Sequence, residues 1–143
     1  MKLVEIGGVK AAADSVRTRE TYTALAASAY KCSCAYCRNF RALGTTPFPE
    51  AVLEFFEQAG IDPNQPAETY EYNKTEPGKH LYGGELYFFG EAPLTEGSRL
   101  DPSGPFDFIF TTPSPLAQKE FRVEGAVCFR FIVELPWVIE DAP

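Results

Sequence analysis

Val127, Phe129, Phe131, Val133 and Leu135 occupy every second position of one uninterrupted run. Side chains alternate between the two faces of a strand, so this spacing predicts a β-strand over 126–135 with a wholly apolar face. Pro136 ends it, and Trp137, Val138 and Ile139 are placed to pack the tail back down. A face of that kind must be covered, and neighbouring stretches supply the partners. Phe106, Phe108 and Phe110 alternate with Asp107 and Ile109. In 80–90, Leu86 and Phe88 fall on one side and Tyr87 and Phe89 on the other, which predicts a strand covered on both faces. Residues 68–74 place Tyr70 and Tyr72 on one side, and Glu76-Pro77-Gly78-Lys79 reads as the turn joining that strand to the next. Twelve Phe and seven Tyr against a single Met favour the same sheet-rich, aromatic core.

The clearest helix lies over 48–59. Val52, Phe55, Phe56 and Ala59 recur at helical spacing, while Glu54, Glu57 and Gln58 point away from that stripe. Thr46 or a neighbour is the expected cap, Pro47 and Pro49 suit a first turn, and Gly60 stops the helix. One α+β domain over 1–143 follows: an antiparallel sheet of about four to six strands with this one main helix packed on it. Ahead of it, 3–6 reads as a short strand closed by Gly7-Gly8. The Ala-rich 9–16 reads as a turn of helix or a loose arm, so 1–20 is expected as an N-terminal arm. Thr21-Tyr22-Thr23 tips 21–30 toward an extended run despite its alanines, and 34–43 reads as a short helix or tight turn. Residues 91–104 and 112–117 are Pro-punctuated loops.

Net charge is −7, which argues against duplex nucleic acid or an anionic membrane as partners of the surface as a whole. The charge is uneven. Residues 1–50 carry seven basic and four acidic side chains, and 51–143 carry six and sixteen. Docking of the basic half on the acidic half is the expectation. No stretch approaches the roughly 20 apolar residues of a membrane span, and Glu5, Gly7 and Gly8 break any signal-peptide core. A soluble, acidic, cytoplasmic protein with reduced thiols is expected.

Three of the four cysteines fall within six residues, as Cys32-x-Cys34-x-x-Cys37. Cys32 and Cys34 share a side of an extended chain, and a helical turn beginning at Cys34 returns Cys37 to it. Three soft ligands suit zinc, which takes a fourth from Cys128 or, alternatively, His80. Three further readings stand beside zinc. The cysteines can be small buried hydrophobes. Cys34 and Cys37 can form a redox C-x-x-C pair with Lys31, Arg38 and Arg41 near in sequence. His80, oriented by Glu68, Glu71 or Glu85, can activate a thiol. Tyr70, Tyr72, Tyr82 and Tyr87, with Gly83-Gly84, are candidates for a ligand groove, or else cross-strand pairs.

Cys32-x-Cys34-x-x-Cys37-x-Asn39-Phe40, Gly60-Ile61-Asp62-Pro63, Leu81-Tyr82-Gly83-Gly84 and Glu134-x-Pro136-Trp137 together resemble a family of small uncharacterised bacterial proteins. The resemblance covers the chain from about Tyr30 onward, implies no activity and carries over no functional residue. The function expected from the residues is a non-catalytic binding or interaction module for a protein or small-molecule partner, which a structural zinc on the cysteine cluster can accompany but need not. The alternative is a thiol-dependent enzyme or redox sensor using Cys34 and Cys37.

Overall fold

β4, Lys79–Glu91, is the longest strand, and the sheet is assembled along its two edges. The computed structural model describes residues 1–26, 32–100 and 106–143. In chain order these form β1 (Lys2–Ile6), β2 (Val9–Ala13), α1 (Ser15–Ala26), α2 (Ala35–Ala42), α3 (Glu50–Ala59), β3 (Glu68–Glu76), β4, β5 (Gly97–Arg99), β6 (Asp107–Thr111), a 3-10 turn (Lys119–Phe121) and β7 (Ala126–Pro136). The strands make one seven-stranded sheet in the order β1-β2-β4-β7-β6-β5, with β3 also paired to β4. Every pairing is antiparallel.

β7 accompanies β4 along nearly its whole length, from Lys79 opposite Pro136 to Phe89 opposite Ala126. The other edge is shared. β3 takes the first half, ending at Glu68 opposite Glu85, and β2 pairs only with Gly90 and Glu91. Between them a stretch of β4 has no strand beside it, and buried backbone groups left unpaired there are costly. Helix α1 fills the gap with side chains. The Tyr22 hydroxyl donates to the Tyr87 carbonyl (2.8 Å) and accepts from the Tyr87 N–H (3.0 Å). Thr18 Oγ1 accepts from the Phe89 N–H at 3.0 Å, and the Asp14 N–H donates to the Phe89 carbonyl at 2.8 Å. Asp14 also starts the helix, its carboxylate accepting from Arg17 N at 3.1 Å.

The core is stacked rings. Leu86, Phe88, Phe110, Phe129 and Phe131 line one face of the sheet, all fully buried, and α3 lays Phe55 and Phe56 onto it. Ring centroids lie 5.7 Å apart for Phe55–Phe88, 5.6 Å for Phe55–Phe129 and 5.2 Å for Phe56–Phe129. On the reverse face Phe121 of the 3-10 turn covers Tyr87 at 5.6 Å and Phe89 at 5.1 Å. The strand expected to be covered on both sides is so covered.

Several expectations need correction. The sheet has seven strands and dominates the fold; α3 is one of three helices among the described residues, not a single helix on a smaller sheet. Residues 1–20 are not a loose arm. Gly7 and Gly8, both with positive φ (55° and 79°), make the two-residue loop of a β1–β2 hairpin, and Val4, Ile6, Val9, Ala11 and Ala13 are buried. The alanines are small because that part of the core is tight, not because the segment is helical. Residues 21–26 are helix rather than strand, which puts Thr18 and Tyr22, one turn apart, on the same side against the β4 backbone; the hydroxyls of Thr18, Thr21 and Thr23 bond back to carbonyls four residues earlier. The remainder of that segment, 27–30, lies outside the described residues.

Helix α3 begins at Glu50, capped by no side chain, and Phe48 precedes it as a buried plug. Gly60 ends it in the left-handed conformation (φ 82°), where a Cβ would sit 2.4 Å from the Ser15 carbonyl oxygen. The basic and acidic halves do pack on each other, through β2 and α1 against β4, but hardly by ion pairing. Of the ion pairs among the described residues only Arg38–Asp141 joins them, and it is exposed and worth little.

Tyr22→Phe deletes one oxygen and nothing else. It leaves the Tyr87 N–H and C=O without partners, at about 1–3 kcal/mol for each buried group. Urea denaturation should show a loss of about 2 kcal/mol or more. A loss under about 0.5 kcal/mol would mean that α1 does not complete the β4 ladder.

Candidate metal centre

Cys32 and Cys34 lie just ahead of a helix, Cys34 in an extended conformation, and the chain turns helical at Ala35. Cys34 is the N-cap of α2 (φ −66°, ψ 159°), and its sulfur accepts from the Cys37 N–H at 3.4 Å. Its own N–H donates to Cys32 Sγ at 3.5 Å, and its carbonyl takes the first helical hydrogen bond, from Arg38 N at 3.0 Å. A C-x-C just ahead of a helix, followed by C-x-x-C across the helix start, therefore brings all three sulfurs within 4.8 Å of one another. In a tetrahedral zinc site with 2.3 Å bonds, neighbouring sulfurs stand about 3.8 Å apart. A contraction of at most about 1 Å closes the group around an ion.

The three thiols differ in setting. Cys34 is exposed, Cys32 half-buried and Cys37 buried. The Cys34 thiol ionises more easily than an ordinary cysteine, chiefly because the Cys37 N–H donates to its sulfur and then through Cys32; partial desolvation opposes the shift. Burial pushes Cys37 up to about 12, with further upward contributions from Cys32 and Cys34. Its sulfur lies 3.8 Å from Thr69 Oγ1 on β3. A soft cation deprotonates coordinated thiols outright, so the donor set fits one.

Helix α2 is held from both sides. Asn39 is fully buried; its amide nitrogen donates to the Pro136 carbonyl at 3.1 Å and its oxygen accepts from the Val138 N–H at 2.7 Å. One side chain thus splices the helix to the C-terminal tail. Beside it Phe40 stacks on Phe131 (6.1 Å, 30°), and the Tyr82 hydroxyl donates to the Tyr36 carbonyl at 2.9 Å. Gly84 makes room for this: a Cβ there would meet the Phe131 ring at 2.5 Å. Trp137 closes the tail over the Tyr36 ring (5.7 Å) and the His80 ring (5.1 Å). Asn39 and Phe40, which follow the cysteines directly in sequence, anchor their helix.

The fourth ligand is not where expected. Phe40 seats α2 on the Phe131 face of the sheet, whereas Cys128 lies on the reverse face of β7. There its sulfur is 3.7 Å from Glu85 Oε1, a carboxylate that also accepts from Tyr87 OH (2.6 Å) and Ser114 Oγ (2.7 Å). Burial pushes the Cys128 thiol up to about 11. His80 is also engaged elsewhere, its Nδ1 3.4 Å from Glu71. Of the three acids named to orient it Glu71 does so, yet no thiol is its partner among the described residues. Glu85 belongs instead to a buried network that periodicity alone gave no means to find.

Nor do the four tyrosines line one groove. Tyr82 packs on the helix-bearing face against Phe40, and Tyr87 on the reverse face. Tyr70 and Tyr72 stand edge-to-face over Gly83, whose missing Cβ would meet Tyr70 at 2.5 Å. Of the cations near the thiols, Arg38 is committed to the Ser33 carbonyl and Asp141, Arg41 is exposed, and Lys31 lies outside the described residues. No helix of the described residues is long and apolar enough to cross a membrane.

No family model matches the chain, and no curated protein or solved structure matches it either.

Asn39→Ala should release the tail and loosen α2. Two partly buried backbone groups lose their partners, at about 1–3 kcal/mol each. Emission of Trp137, the only tryptophan, should shift to the red as stability falls. An unchanged spectrum with unchanged stability would mean the splice does not hold the helix.

Proposed function

We propose that the chain is a metal-binding interaction module in which Cys32, Cys34 and Cys37 hold one zinc ion. The observation that carries this reading is the convergence of three sulfurs within 4.8 Å. Two residues alone would describe a redox pair equally well; the third thiol, aimed at the same point, adds a ligand that disulfide chemistry does not need. Thiolates select soft or borderline cations, and zinc suits a tetrahedral site with no redox work to do. The protein contributes three ligands and leaves the fourth position for water or a partner's donor atom.

The second reading, a thiol-dependent enzyme or redox sensor, has one observation in its favour. Cys34 is exposed with an easily ionised thiol, and Cys37 is buried with a thiol that resists ionisation. That is the division of labour between an attacking and a resolving cysteine. The two readings diverge on what the thiols hold in freshly isolated, reduced protein.

Zinc should be found at about one equivalent per chain, lost in Cys37→Ser and retained in Cys128→Ser. All three ligands come from one short segment, so a chelator should remove the ion while leaving cooperative unfolding in place, unlike a site that staples distant strands. Zinc-free reduced protein with a readily reversible Cys34–Cys37 disulfide would replace the metal reading with the redox one.

A further inference from the structure

Phe121 and the segment around Ser114 cover only part of the reverse face of the sheet, over Tyr87, Phe89 and Glu85. The remainder is open. At its centre stands Ile132, 37% exposed, with Gly83 of β4 and Asp107 of β6 as its cross-strand neighbours. Tyr72, 50% exposed, rises beside it with Tyr70 over Gly83. Strand alternation places Arg130 and Glu134 on the same face as Ile132, one on each side of it along β7, and both are partly exposed.

Those two charges lack good partners within the chain. Arg130 enters no ion pair among the described residues, and its Nε is shielded with no acceptor. Only its terminal nitrogens can therefore meet a group from outside. Glu134 has a single long contact, 3.9 Å from Lys79 Nζ. The neighbouring charges are matched better, Lys79 by Glu76 at 3.0 Å and Arg99 by Asp107 at 3.1 Å. What the open face lacks is thus an acid opposite Arg130 and a base opposite Glu134, and it carries one of each itself.

We propose that this open face is the contact of a symmetric dimer, a second copy of the chain packed sheet on sheet with the two-fold axis over Ile132 and across the strands. Such an axis lays β7 antiparallel on β7 of the second copy, so residues equally spaced before and after position 132 face one another. Ile132 then meets its counterpart, and Arg130 faces Glu134 of the second copy on both sides of the axis. Stacked sheets stand about 10 Å apart, a gap that an arginine and a glutamate reaching from opposite sides can close. Apolar and aromatic residues at the centre with charges around them is the usual build of a contact between proteins. The same axis carries the covered part of each copy past the Pro136 end of the other's β7, so the covering segment does not hold the open faces apart. A net charge of −7 repels copies in general, which favours the one face where the charges match. The dimer does not depend on the metal.

Sedimentation velocity of full-length protein under reducing conditions, over a concentration series, provides the test. A reversible dimer is expected in the micromolar range. Ile132→Asp sets two like charges against each other on the axis and should raise the dissociation constant about 100-fold or more. Arg130→Met and Glu134→Gln should each raise it several-fold, and the double variant should be no worse than the weaker single, because both remove the same contact. Circular dichroism checks that each variant is folded, and the Arg130/Glu134 cycle carries the test if Ile132→Asp is not. A chain that stays monomeric to millimolar concentration overturns the proposal. So does a dimer indifferent to Ile132→Asp, or losses from Arg130→Met and Glu134→Gln that simply add.

Discussion

The fold depends on keeping the backbone of β4 satisfied along both edges. β7 serves one edge from Lys79 to Phe89, but the other is divided between β3, β2 and the side chains of α1. A strand with mixed neighbours cannot slide, because each partner fixes its own register and a one-residue slip would turn every side chain to the wrong face. Tyr82 and Gly84 then face α2, Leu86 and Phe88 face α3, and Glu85 and Tyr87 lie in the reverse layer. The hydroxyl of Tyr22, buried so that its ionisation is strongly disfavoured, does the work of a missing strand residue.

That register reaches the thiols through a short chain of contacts. Gly84 lacks a side chain, so Phe131 fits across it; Phe131 stacks with Phe40; Phe40 and Asn39 hold α2; α2 carries Cys37 and is capped by Cys34. The cluster is surface chemistry on a rigid support, not a loop that happens to contain cysteines. A braced helix start holds the three sulfurs near one another, which is what the proposed zinc site requires.

Legibility followed side-chain size and period. β7, β4, β6 and the stripe of α3 are written in large apolar residues, and hydropathy finds them. β2 is built from alanines and α1 buries chiefly Thr18 and Tyr22, so neither has a hydrophobic signature. Their role is to satisfy backbone groups of a strand far along the chain, a requirement that exists only once the sheet is assembled. The cysteine cluster was legible because its ligands are local: alternation and one helical turn suffice. The position of Cys128 relative to that cluster was not. Sequence placed Cys128 correctly on the face of β7 opposite Phe129 and Phe131, but which face α2 would choose was settled by Phe40 and Asn39, whose partners lie more than forty residues away.

Three local sulfurs with a position left open is therefore the central claim, and X-ray absorption at the zinc edge tests it most directly. Zinc-loaded protein prepared without added thiols should show three sulfurs at about 2.3 Å and one lighter scatterer. Four sulfurs from the chain would bring Cys128 back and contradict the placement of α2; a shell of nitrogen and oxygen alone would remove the cluster from the metal altogether.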